Sequence, residues 1–169
     1  KSIAVLPFEN TGLDSNYEYL SDGIPRDIIN KLSKISAIQT VTGWASVRIY
    51  KKTLKGIKEI AGELGVSSIL TGTIQKHSDN LHIIAELIDV KTGKRIWGDD
   101  FNSKIGELFI IQREVAQKIS DALKSHITAE KKISIKKNYT ENIDTYKYYT
   151  KGRIFMDKRN KENFDSAEA

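Results

Sequence analysis

Cysteine is absent from the chain, which excludes disulfide bonds and thiolate metal sites but leaves the compartment open. Histidine is nearly as scarce. His77, His82 and His126 are the three present, and no two share a helical face at metal-ligand spacing. His77 and His82 flank one expected hairpin turn and read as solvated edge residues. Only two prolines occur, so each punctuates: Pro7 stops an apolar run and Pro25 falls inside a helical pattern. No apolar run approaches the length of a membrane span, and none has a signal-peptide pattern. Gly62 and Gly65 lack the spacing of a Walker or dinucleotide loop. With no Ser-His-Asp pairing, no nucleophilic thiol and no cyclase-type pair of metal-binding aspartates, no catalytic residue is assigned. The chain reads as no enzyme, without metal or cofactor.

What is present fits one ordinary core with a small appendage in 169 residues. The net charge of +5 is mild. It is shared between a near-neutral main part and a more basic tail, so no stripe suited to phosphate backbones stands out. The first residues, KSIAVLPF, enter a strand directly with no initiator Met, and the chain is expected to be a piece of something longer.

The stretch from Val66 to Phe101 organises the rest. β-branched residues to Ile74, the turn formers His77 to Asn80, and alternation from Leu81 to Val90 predict two antiparallel strands. Leu81, Ile83, Ala85 and Leu87 share one face. A turn at Asp89 to Lys94, with Gly93 free to take positive φ, leads to a third strand from Arg95. Asp99 and Asp100 point to opposite faces of that strand and cannot chelate together.

Helices are expected around this meander. After a strand from Ser2 to Leu6, Asp14 or Ser15 caps a helix running to Lys34, broken near Gly23, where Asp22 caps a second piece with Pro25 in its first turn. Ile38 to Val41 is a short strand, and Gly43 to Tyr50 a short helix. Lys51-Lys52 marks an exposed loop. Thr53 caps a helix buried through Ile57, Ile60, Ala61 and Leu64 and stopped at Gly65. Ser103 opens a last helix with Leu108, Ile111, Val115 and Ile119 on one face. The order β-α-β-α-β-β-β-α predicts a compact α/β sandwich, two or three layers deep, with a five-stranded mixed sheet.

Taken in order, Pro7-Phe8, Asp22-Gly23-Ile24, Leu64-Gly65-Val66, Asp89 with Thr92-Gly93, and Trp97 resemble the TolB-like domain of bacterial signalling proteins. The resemblance covers about three quarters of the chain, and the ordered set carries it rather than any single motif. It implies a small α/β domain similar in outline to anticodon-binding domains of class II synthetases. It also implies multidomain parents in which a cyclase, winged-helix or kinase domain precedes and TPR repeats follow. The extracytoplasmic side of the inner membrane is the implied compartment, the cytoplasm the alternative.

The expected organisation is thus a TolB-like domain over residues 1–128, a basic linker or helix extension over 129–140, and a truncated TPR-like helical hairpin over 141–169. In that hairpin Asn142 to Asp157 forms the first helix and Asn163 to Ala169 begins the second. Tyr148, Gly152 and Phe155 have the spacing such a helix uses, which makes Tyr148, Tyr149 and Phe155 candidates for a partner surface. Glu9, Asn10 and Asp22 are the candidates for a ligand cleft near the end of the first strand. The leading functional reading is a non-catalytic module that binds a protein partner or an attached signalling domain, with homo-oligomers allowed. A small-molecule sensor is the alternative, and nucleic-acid binding, which the mild charge disfavours, comes after it.

Overall fold

The structure, a computed structural model, describes residues 2–12, 14–36, 38–123 and 142–167. Its strands are β1 (Ser2–Val5), β2 (Glu9–Asn10), β3 (Thr40–Val41), β4 (Ser68–His77), β5 (Asn80–Asp89) and β6 (Arg95–Lys104). Its helices are α1 (Glu18–Leu32), α2 (Trp44–Val47), α3 (Ile57–Leu64), α4 (Leu108–Ala122) and α5 (Ile143–Ala167). The sheet runs β3-β1-β4-β5-β6, and the two-residue β2 continues β1 alongside β4. β1 is parallel to β3 and β4, while β4, β5 and β6 form the expected antiparallel meander. This is the mixed five-stranded sheet the sequence predicts.

Alternation along β5 sorts its two faces. Leu81, Ile83, Ala85 and Leu87 are fully buried in the core that also holds Ile28 of α1 and Ile111, Val115 and Ile119 of α4. On the other face Ile69 is covered near α3, whereas Ile84 is left 39% exposed. Helices therefore back one face fully and the other only over the β1 half. The D-x-x-T-G turn has a mechanical basis: one carboxylate oxygen of Asp89 accepts the Thr92 amide and hydroxyl, each at 2.7 Å. Gly93 then turns with φ of 69°. Gly65 ends α3 at φ of 65°, its amide returning to the Ala61 carbonyl.

Four expectations need correction. The helix at Glu18–Leu32 is unbroken through Pro25, so Asp22 is a mid-helix residue and not a cap. Proline removes the amide that would bond the carbonyl of Ser21, four residues back. That carbonyl instead accepts the Phe8 amide at 3.0 Å, which ties α1 to the end of β1 and removes the need for a break. Thr53 caps only a turn, accepting the Lys55 amide at 3.2 Å, and Gly56 precedes α3. Ser103 stays in β6, and a 3-10 turn at Ile105–Glu107 leads into α4. Finally, α5 runs as one helix where a turn between two TPR-like helices was expected. Its Lys and Glu residues around Asn160 are good helix formers, and no Pro or Gly interrupts them. The linker lysines and His126 lie outside the described residues.

Candidate functional site

The site begins with an irregularity in the first strand. Val5 pairs with Leu70 and Glu9 with Thr73, so three residues on one side oppose two on the other. The extra residue falls at Leu6-Pro7-Phe8, where Pro7 has no amide for the ladder. Phe8 turns its ring onto Gly72 of β4. A side chain there would meet the ring at 3.0 Å and the Ile84 carbonyl at 2.4 Å, so only glycine fits.

This bulge forms one wall of a cleft of about 620 Å³, closed on the opposite side by the turn from Tyr50 to Lys55. Glu9 and Asn10 line it. Asp22 does not; it faces a second cleft of about 610 Å³ between the start of α1 and α5. Glu18, Lys51 and Lys52 are common to both clefts and separate them.

That partition is a connected polar network. Asn10 donates to Glu18 at 3.1 Å, and Lys51 Nζ lies 3.1 Å from Glu18 and 2.9 Å from Asp22. Burial disfavours the Glu18 carboxylate, but hydrogen bonds from Lys51 and Asn10 outweigh it and hold its pKa below the usual range. Burial likewise opposes the Lys51 charge, and the bonds to Asp22 and Glu18 raise its pKa despite that. Lys52 next to it adopts φ of 57°, a left-handed conformation that costs a non-glycine residue about 1 kcal/mol. Two of the candidate ligand residues, Asn10 and Asp22, are thus linked through two that sequence reasoning missed. The Lys51-Lys52 pair looked like a solvated loop, and nothing local marked it as the partner of residues thirty positions away.

A second constellation holds α5. Tyr146 is 3% exposed, its ring edge-on to Phe109 at 5.3 Å. Gln112 of α4 donates both to the Tyr146 hydroxyl at 3.1 Å and to Asp27 at 3.2 Å. Arg153 lies 3.6 Å from Asp27, and Arg26 donates to Asp157 at 3.2 Å. Burial and the neighbouring Asp27 carboxylate push the Tyr146 phenol well above its ordinary pKa, so it stays protonated. α5 crosses α1 at Gly23, where an added Cβ would stand 2.8 Å from Thr150 and 2.9 Å from the Tyr146 hydroxyl. The partner-surface candidates sit on the outer side instead: Tyr148, Tyr149 and Phe155 are 74%, 56% and 66% exposed, and Tyr149 stacks with Arg153.

Asp99 and Asp100 face opposite ways as expected, Asp99 to Lys118 of α4 and Asp100 to His82 across the bare sheet face. Among the described residues no group of three metal-ligating side chains gathers, and no helix is long and apolar enough to cross a membrane.

The fold is thus a mixed α/β sheet with a bulged first strand and clefts lined by paired charges. Residues 1–118 match the family described as HilA/YgeH-like transcriptional regulator, second domain, and the chain belongs to that family. It is 36% identical over 128 residues to "Putative adenylate cyclase 3" of Rhizobium meliloti, a match covering 76% of this chain. It spans only 22% of that relative's length. Among solved structures, lipoprotein GNA1162 from Neisseria meningitidis superposes with a TM-score of 0.52 at 20% identity, over 71% of this chain and 98% of that one. TolB from Acinetobacter baumannii superposes at 0.49 with 17% identity, over 72% of this chain and 28% of that one. The α/β fold is shared, and the family matched is a regulatory one.

Proposed function

We propose that the chain is a non-catalytic module of a multidomain bacterial signalling protein, working by protein contact through the outer face of α5. The observation that carries this is the exposed apolar face of that helix. Tyr146, Arg153 and Asp157 clamp one side to α1 and α4, while Tyr148, Phe155 and Met156 surround Gly152 in the open on the other. A glycine flanked by large apolar residues one turn away on either side lets another helix approach closely. The occupant is a helix of an adjoining TPR-like module in the same polypeptide. The matched relative, far longer than the region it shares with this chain, supports such neighbours. An extracytoplasmic position accords with one structural neighbour being a lipoprotein.

Met156 is the single methionine of the chain and gives a direct readout. Mild peroxide oxidation followed by peptide mapping compares the full-length protein with residues 1–169. Met156 is expected to react several-fold more slowly in the full-length protein. Equal rates would sink the reading.

The sensor reading keeps one observation in its favour, the cleft of about 620 Å³ beside Glu9 and Asn10. Native mass spectrometry distinguishes the two, because a co-purified ligand adds mass that vanishes on denaturation.

A further inference from the structure

The cleft between α1 and α5 has a charge balance that the fold does not use. Four ammonium groups line it, Lys51 and Lys52 from the turn after Tyr50 and Lys151 and Lys158 from α5, against two carboxylates, Glu18 and Asp22. Both carboxylates are bound by Lys51. Lys52 adds a longer-range attraction to Glu18, and neither it nor Lys151 nor Lys158 has a carboxylate within ion-pair distance among the described residues. Lys151 leans over the Tyr19 ring at 5.4 Å. Like charges held around a concavity repel one another unless an anion neutralises them, and a low-dielectric wall strengthens the attraction for that anion.

We propose that this cleft binds a small molecule carrying a multiply charged phosphate group, gripped by Lys52 from one side and by Lys151 and Lys158 from the other. Lysines act as point charges suited to phosphate oxygens, and no arginine fork for a planar carboxylate lines the cleft. Neutral donors are at hand in Ser15, Asn16 and Tyr19. Burial raises the Tyr19 phenol to about 12, so it keeps its proton and donates. A volume of about 610 Å³ lies within the range of small-molecule sites, and the cleft needs no rearrangement to admit one. Because its lysines come from two separate elements, the ligand bridges α5 to the turn after Tyr50 and holds the helix down. The site is separate from the outer face of α5, so its failure would leave the protein-contact reading standing.

The test uses inorganic pyrophosphate, titrated into the protein and followed by calorimetry and by backbone amide shifts at constant ionic strength. Saturable one-to-one binding is expected, with amide shifts at Ser15, Lys52 and Lys151. Lys52→Gln and Lys151→Gln should each weaken it about fivefold, while Lys91→Gln, in the β5–β6 turn, should leave it unchanged. Far-UV melting curves confirm that these surface variants are folded. Slower amide exchange across residues 143–157 on saturation is the second expected result. Absence of saturation, or equal weakening by Lys91→Gln, would overturn the proposal. So would a short single-stranded oligonucleotide that outcompetes pyrophosphate at the same lysines, since the site would then belong to nucleic acid.

Discussion

α4 and α5 both pack against α1, and they do it in opposite ways. α4 presents Ile111, Val115 and Ile119, each 3% exposed or less, to the sheet and to α1. α5 presents Tyr146, Thr150, Arg153 and Asp157 and leaves Tyr148, Tyr149 and Phe155 outside. The first contact removes apolar area from water and tolerates little change. The second adds a few directed bonds to the Tyr146–Phe109 contact, and it is imperfect: Thr150 Oγ1 and Arg153 Nε are buried without a hydrogen-bond partner. Each such group costs about 1–3 kcal/mol. One helix belongs to the fold, whereas the other is an attachment whose hold is adjustable.

The largest test of that contrast is Ile119→Ala in α4. Its side chain is fully buried, and truncation is expected to destabilise the domain by about 3 kcal/mol, read as a lower urea midpoint with an unchanged slope. A loss below about 1 kcal/mol would mean that α4 is no more integral than α5.

Gly23→Ala probes the other contact. Alanine is the better helix former by about 1 kcal/mol, so α1 itself gains. The new methyl group, however, meets Thr150 and the Tyr146 hydroxyl at under 3 Å. The outcome expected is a split: amide exchange across residues 143–157 rises about tenfold or more, while the β4–β6 amides keep their protection. Uniform loss across both regions would show that α5 is part of one cooperative core.

How much of this the sequence shows follows the same division. The meander, the Asp89–Gly93 turn, the Gly65 stop and the α4 stripe were legible because short-range rules govern them: alternation, turn chemistry and helical period. The course of α1 through Pro25 was not, because the donor to the freed Ser21 carbonyl is the Phe8 amide, in the bulge thirteen residues earlier. The hold on α5 was missed for a different reason. The sequence marks Tyr148, Tyr149 and Phe155 as a partner surface, but nothing in it ties Tyr146 and Arg153 to Gln112 and Asp27 on two other helices. At the site, the sequence singles out Glu9, Asn10 and Asp22 for one cleft, but Asp22 lies mid-helix and lines a second one. Lys51, which joins Asn10's partner Glu18 to Asp22, has no local signature.

A smaller effect is expected on the outer surface. Phe155→Ser removes an exposed ring with no core contact and should shift stability by less than about 0.5 kcal/mol in residues 1–169. In the longer parent that the proposed function implies, the same change should release the protection expected for Met156. If it destabilises the isolated segment as much as Ile119→Ala does, the outer face is already in use within the domain.

The smallest effect concerns the partition between the clefts, and its sign is fixed by Glu18. Despite burial, bonds from Lys51 and Asn10 depress its folded pKa below the ordinary carboxylate value. Its contribution to stability is therefore present above the unfolded pKa and is lost as pH falls through the lower folded value. Glu18→Gln keeps the shape and removes the charge. The melting temperature of the wild type should exceed that of the variant at pH 7, and the gap should close in acid, below about pH 4. With the carboxylate partly exposed and screened, the gap is small even at neutral pH. A gap that widens in acid would reverse the assignment, because it would mean that Glu18 is stabilised in its protonated form and that Lys51 is held by Asp22 alone.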